Sequence, residues 1–233
     1  IVKLLLGRKD INPDFSDNHG RTPLSWAARL CHHEVVKLLL ERKDVTPDMS
    51  GPFGITPLVT AAKHGSHRVV RLLLQRKDAD PNTADDTGLT PLRWAAGRGD
   101  HSVVKLLLER EDHDRAHHYG QTPLTSAASA GSDRAAKPLL GCQKVNPNIT
   151  DKTSKTALSW AARRGHDGLV KILLGRGDVN PDIPNYDGQT AFWWATSSRN
   201  KLAVNLLEAR QPANGSKFTE VAPLGHGLNM KEL

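Results

Sequence analysis

A chain of 233 residues that is 38% hydrophobic but only 5% aromatic lacks the bulk for one thick globular core and suits thin layers of Leu, Val and Ala helices. Two cysteines, Cys31 and Cys142, exclude a disulfide framework and point to a reducing, intracellular compartment, cytoplasm or nucleus; no apolar run approaches the roughly 20 residues of a membrane span, and no secretory signal is visible. The formal charge of +7 draws attention to an acidic partner, whether protein, nucleic acid or membrane surface, although a solvated basic surface would have the same charge.

In chain order, residues 1–15 come first. Ile1-Val2-Lys3-Leu4-Leu5-Leu6 and Asp10-Ile11-Asn12-Pro13-Asp14 read as the second half of a structural unit whose first half is absent. A bare apolar helix at the end of a stacked array needs a cap, so the chain is expected to be cut from a longer one.

Six units follow, over about 16–49, 50–83, 84–116, 117–149, 150–183 and 184–210. Their register is set by one phrase. Thr22-Pro23-Leu24-Ser25-Trp26-Ala27-Ala28 returns at Thr56, Thr90, Thr122, Thr156 and, in worn form, Thr190. The threonines are spaced by 34, 34, 32, 34 and 34 residues. Internal repeats at such a period signal a stacked array. A second phrase sits at a fixed offset: Val35-Val36-Lys37-Leu38-Leu39-Leu40, and its copies at Val69, Val103 and Leu169. Each unit therefore predicts two short helices and a loop.

Local chemistry supports that reading. Each Thr is positioned to cap a first helix, and the proline after it stands where its missing N–H is no loss. Small alanines let neighbouring helices approach. Gly65, Gly99, Gly131 and Gly165 fall nine residues after their Thr, where a left-handed helix end is expected. Ser66, Asp100, Ser132 and Asn200 follow as N-caps of the second helix. The Val/Leu phrase then supplies an apolar stripe that one unit cannot bury alone, so units must stack.

Two places look weak. In the fourth unit Pro138 falls inside the second helix, at a cost of about 3 kcal/mol with a kink, and the preceding connection is two residues short. The array is expected to be least stable around 110–145. The sixth unit ends Leu206-Leu207-Glu208, a more polar face that would serve as a cap, and residues 211–233 carry no repeat pattern and are expected to be poorly ordered.

These phrases together resemble the ankyrin repeat, over roughly residues 1–210. The Ser-Trp-Ala-Ala phrase and the Arg-Lys-Asp-Val-x-Pro-Asp loop look like the multi-repeat ankyrin arrays of filamentous fungi. The resemblance implies an all-α solenoid of stacked helix-turn-helix units with β-turn or hairpin loops. It also implies a non-catalytic scaffold for protein–protein interaction. The chain departs from the family pattern in three respects. Ser25, Val59, Arg93, Thr125, Ser159 and Trp193 stand where the family has His. The period is mostly one residue longer than usual. Lys43 and Lys77 replace the glycine that often ends the second helix, which predicts a different loop there; a non-glycine held left-handed would cost about 1 kcal/mol.

Little else in the chain suggests chemistry. His113, His117 and His118 with Asp112 and Asp114 lie in the shortened loop, without a rigid frame for a metal, so no metal or other cofactor is expected. His32 and His33 read as capping or surface residues. Cys31 reads as a small buried substitute for glycine between helices, with no base placed to activate it. No phosphate loop is present, and no small-molecule substrate is implied. Trp26, Trp94, Trp160 and Trp194 share one position in the first helix and read as core between units, with a ring edge at the surface.

The resemblance implies that a partner contacts the turn tips and the inner face of the first helix. Carried over by position, the turn strip is Asn18, His19 and Arg21; Pro52, Phe53 and Ile55; Asp86, Thr87 and Leu89; His118, Tyr119 and Gln121; Lys152, Thr153 and Lys155; and Tyr186, Asp187 and Gln189. Ser154 replaces the turn glycine in the fifth unit. The helix strip is Arg29, Lys63, His64, Arg98, Arg163 and Arg164, without an acidic residue. Phe53, Tyr119 and Tyr186 interleave as aromatic anchors. The expectation is a basic groove on a monomeric chain, preferring an acidic protein segment. Two alternatives stand beside it: the interaction or sensor region of a larger multidomain signalling protein, and a nucleic-acid-binding array, against which the lack of any groove-reading motif counts.

Overall fold

The computed structural model describes residues 1–8, 10–110 and 122–210, and among these there are thirteen α-helices and no strand. A short helix α1 (Val2–Leu6) is followed by six pairs: α2 (Pro23–Arg29) with α3 (His33–Leu40), α4 (Pro57–His64) with α5 (His67–Leu74), and α6 (Pro91–Arg98) with α7 (His101–Leu108). The series continues with α8 (Pro123–Ala130) and α9 (Asp133–Gly141), α10 (Ala157–Arg164) and α11 (Asp167–Gly175), and α12 (Ala191–Ser197) and α13 (Lys201–Glu208). First helices stack on first helices and second helices on second helices, so the array has two layers with one continuous core between them.

Each first helix begins as its sequence dictates. The hydroxyls of Thr22, Thr56, Thr90, Thr122, Thr156 and Thr190 accept from the backbone N–H three residues on, filling one of the donors a helix start leaves free. The second helices are capped less uniformly. Asp100, Ser132 and Asn200 accept backbone N–H groups as expected. Ser66 does not: its hydroxyl meets the Cys31 thiol of the preceding unit instead.

Burial follows the stripe. Val36 and Leu39, Val70 and Leu73, Val104 and Leu107, and Val170 and Leu173 are all buried, as are the paired alanines of the first helices. Each buried Val or Leu contributes roughly 1.5–3 kcal/mol relative to exposure. At the opposite extreme, Leu4 of α1 is 79% exposed, because that helix has no first-helix partner in front of it.

Between the two helices of a unit the chain turns through a left-handed residue. Gly65 (φ 73°) fills this position without strain, but Cys31 (φ 58°) and Arg199 (φ 55°) adopt it too. The expectation that Cys31 is buried is corrected: at the left-handed turn between α2 and α3 its residue is exposed. Lys43 and Lys77 hold no such angle; the second helices instead run out through right-handed residues such as Glu41 (φ −66°) and Gln75 (φ −71°).

An arginine closes that end. Arg76 donates to the carbonyls of Leu40, Arg42 and Val45 of the preceding unit, each at 3.1 Å, while Asp78 clamps its guanidinium at 2.8 and 2.6 Å. Arg42 makes the same contacts to Leu6, Arg8 and Ile11, and Arg110 to Leu74, Arg76 and Ala79. Arg176 and Arg210 repeat the pattern later in the array. Helix-end carbonyls that a glycine turn would satisfy within the unit are thus satisfied by the next unit. In the fourth unit Cys142 occupies the arginine position and has no such arm. There, α9 runs as helix through Pro138 to Gly141, with Ala135, Ala136 and Leu139 buried.

The candidate interaction groove

The groove lies between the row of turns and the row of first helices, and one aspartate organises each of its regular turns. Asp85 accepts from the N–H groups of Thr87 (2.9 Å) and Leu89 (3.0 Å) through Oδ1, which shapes the turn, and from Trp94 Nε1 (3.0 Å) through Oδ2. Asp17 and Asp151 do the same for Trp26 (2.9 Å) and Trp160 (2.7 Å). Hydrogen bonds keep these carboxylates ionised. Asp17 is held below the usual carboxylate range by the Arg21 N–H and the Trp26 indole; for Asp85 and Asp151 burial opposes ionisation, but the hydroxyl, backbone and indole donors outweigh it.

The tryptophans, half-buried, form a column along the first helices, and basic side chains lie on their faces. Lys63 Nζ sits 4.5 Å from the Trp94 ring centre; Arg21 and Arg29 sit 4.7 and 5.4 Å from that of Trp26. Trp194 lies beneath Lys155 (5.2 Å) and Arg163 (4.7 Å), both from the unit before it. Each such contact contributes roughly 0.5–1 kcal/mol at an exposed site; those of Lys63, Lys155 and Arg163 also join adjacent units, whereas Arg21 and Arg29 stack within their own. The rigid stacking also holds cations in place along the groove.

The residues expected in the two strips separate into three sets. The helix strip is brought together: Arg29, His64, Arg98, Arg163 and Arg164 are exposed on one face, with Lys63 half-buried beside them. Burial, with Arg29, Arg98 and Lys63 around it, holds His64 below the usual histidine value. Asn18, His19, Phe53, Asp86, Lys152 and Tyr186 are exposed at the turns. The third set, the residue just before each capping Thr, turns inward to the groove floor: Arg21, Ile55, Leu89 and Gln189 are half-buried, and Lys155 is only 8% exposed. The placing of Lys155 on an exposed tip is therefore corrected; its ammonium donates to Thr153 Oγ1 at 3.1 Å and covers two tryptophans. Ser154 takes the left-handed angle (φ 55°) in place of the turn glycine. His118, Tyr119 and Gln121, the histidine cluster of the shortened loop and the 211–233 tail lie outside the described residues.

The column is interrupted twice. Thr60 stands in the tryptophan position of the second unit and Ser126 in that of the fourth. At Thr60 a hollow of about 320 Å³ opens, lined by Arg21, Arg29, Pro52, Phe53, Ile55 and Lys63 among others. At Ser126 a hollow of about 270 Å³ opens, into which Arg93 extends to donate to the Ser126 hydroxyl at 3.2 Å. Where Trp is missing in the second unit its aspartate is missing too. Gly51 replaces it, and the turn closes as a tight 3-10 turn (Pro52–Gly54) with Phe53 at φ 63°.

The strip residues and the shared tryptophan position were legible, but the aspartate that holds each ring was not. Its signal is the co-occurrence of Asp five residues before, and Trp four residues after, the capping Thr. Asp17 goes with Trp26, Asp85 with Trp94 and Asp151 with Trp160, whereas Gly51 goes with Thr60.

Paired helices that stack unit on unit, with capped first helices and a row of turns along one edge, define a helical-repeat solenoid. The chain belongs to the ankyrin-repeat family: the model of ankyrin repeats in three copies matches residues 1–49, 58–151 and 127–216. Solved structures agree. The ankyrin repeat domain of Bcl-3, a member of the IkappaB protein family, is 27% identical with a TM-score of 0.77, covering 89% of this chain and 90% of that one. An ankyrin repeat domain from Acinetobacter baumannii AYE is 26% identical with a TM-score of 0.73, covering 80% and 96%. The ankyrin repeat protein EF0377 shares the fold, at 24% identity and a TM-score of 0.76, covering 84% and 100%. No curated protein matches at the level of sequence. Among the described residues no helix is long and apolar enough to cross a membrane, and no cluster of metal-ligating side chains occurs.

Proposed function

We propose that this array is a non-catalytic scaffold that binds an acidic segment of another protein along the groove between turns and first helices. Ankyrin repeats are interaction modules in general, and the acidic preference is this chain's own chemistry. The observation that carries it is the single face holding Arg29, Lys63, His64, Arg98, Arg163 and Arg164, with cations fixed over tryptophan rings. A cation stacked on an aromatic face loses little freedom when a carboxylate arrives, so such a groove is preorganised for acidic ligands. The unpaired thiols of Cys31 and Cys142 fit a reducing compartment.

The test is binding of the full chain to an array of acidic peptides in a salt series, beside duplex DNA. Acidic peptides should bind more weakly as salt rises, and Arg98→Glu should weaken them by about tenfold while leaving the fold intact. Peptide binding unchanged by Arg98→Glu refutes the groove. Tighter binding of DNA with a steep salt slope would favour a nucleic-acid array instead.

A further inference from the structure

The gap in the tryptophan column at Thr60 is not a packing accident of a weak unit. Its unit is well formed: Thr56 caps α4, and Leu58, Val59, Ala61 and Ala62 are fully buried. What is missing is one ring. The fifth and sixth units show the filled version. There Trp194, four residues after its capping Thr, lies beneath Lys155 and Arg163, which stand one before and seven after the capping Thr of the preceding unit. In the first and second units those two positions are Arg21 and Arg29, and the residue that should lie beneath them is Thr60. Both arginines line the hollow, with Lys63 on the far side and Pro52, Phe53 and Ile55 as apolar wall.

On that basis, and resting on the acidic-segment reading above, we infer that the hollow at Thr60 receives one aromatic side chain of the bound segment, with carboxylates flanking it. The volume, about 320 Å³, lies in the range of pockets that enclose a ligand group. No carboxylate lines it, so acidic flanking residues meet cations, the hydroxyl residues Ser25 and Thr60, and the apolar wall, with no like charge among the lining residues. Phe53 stands at its rim, 75% exposed and held at φ 63°; an exposed aromatic in a strained angle is the kind of outlier found at ligand clamps. The hollow at Ser126 is different because Arg93 already reaches into it.

The experiment uses two peptides, one with a single Trp among glutamates and one with Ala in its place. The full chain should bind the Trp peptide tighter by about tenfold or more, as a buried aromatic anchor does. The double variant Gly51→Asp with Thr60→Trp rebuilds the chain's own aspartate–tryptophan pair in the gap. It should bind both peptides alike, at the level of the Ala peptide. Equal binding of the two peptides by the unmodified chain overturns the aromatic subsite and leaves the acidic groove standing. Discrimination that survives in the filled variant also overturns it. If neither peptide binds, the groove reading itself falls. A benzoylphenylalanine at the anchor position, photo-crosslinked to the unmodified chain, supplies a readout independent of the variant's folding. Adducts should map to the segment between Pro52 and His64, and adducts confined to another unit would sink the subsite.

Discussion

Trp94 donates its indole N–H to Asp85 at 3.0 Å, and the same carboxylate holds the turn in front of it through its other oxygen. In the sixth unit that arrangement fails. Asn185 spends its one carbonyl oxygen on the N–H groups of Asp187 (3.0 Å) and Gln189 (2.8 Å), and its amide donates to Gln189 Oε1. Trp194 Nε1 is consequently buried without a partner. Asn185→Asp should supply the missing acceptor and stabilise the sixth unit by about 1 kcal/mol. Asp85→Ala, which strips both functions from a regular turn, should destabilise by about 2 kcal/mol or more. Thermal unfolding of both variants checks the pair, and a lower Tm for Asn185→Asp would count against it.

Arginine staples between units make a second prediction. Arg76→Ala leaves three carbonyls of the preceding unit without their donor, and should cost about 2–3 kcal/mol. The fourth unit already lacks this arm, at Cys142, and also loses a helical hydrogen bond at Pro138. Hydrogen exchange should therefore be faster in α9 than in α11. Pro138→Ala should slow it in α9, and Cys142→Arg should slow it at the end of α7, the helix end such an arm would reach. Equal protection of the two helices in the unmodified chain would refute the weak point.

Acid should act through the turn aspartates. Asp17, Asp85 and Asp151 have folded pKa values below their unfolded ones, so each contributes stability that is present above about pH 4 and is lost as pH falls through the folded value. Asp48 has the opposite sign. Burial pushes it up, its Oδ1 has no partner, and Asp80 and Asp78 add repulsion. The equivalent Asn148 shows the remedy, accepting from Asn180 N at 2.8 Å and donating to the Asp178 carbonyl at 2.7 Å. Asp48→Asn should raise the Tm at neutral pH and lose that gain as Asp48 in the parent becomes protonated. Unfolding curves measured across pH 3–7 would show otherwise if the gain were independent of pH.

His64 reports the field of the groove. Its titration is pulled down by burial and by Arg29, Arg98 and Lys63, so it is neutral at pH 7. Arg98→Glu should raise its midpoint, and a bound acidic peptide should do the same. An NMR titration of the His64 ring reads both, and a midpoint insensitive to Arg98→Glu would show that the groove charges do not act together.

The sequence by itself determined whatever is decided within a few residues. Thr caps reach three residues ahead, left-handed turns sit at a fixed offset, and the Val/Leu stripe recurs on one helical face. Those local rules, repeated at a 34-residue period, were enough to specify the solenoid; the basic strip was read by carrying the ankyrin resemblance over by position. Only the tertiary structure decided what one unit does to the next. Lys43 and Lys77 could replace glycine because Arg76 and Arg110, each one unit further on, satisfy the carbonyls at those helix ends. Lys155 left the surface because Trp194 of the following unit lies under it, and Cys31 sits at an exposed turn with its thiol against Ser66 of the next unit. Stacking brings together atoms 31–36 residues apart, and no local periodicity records which of them meet.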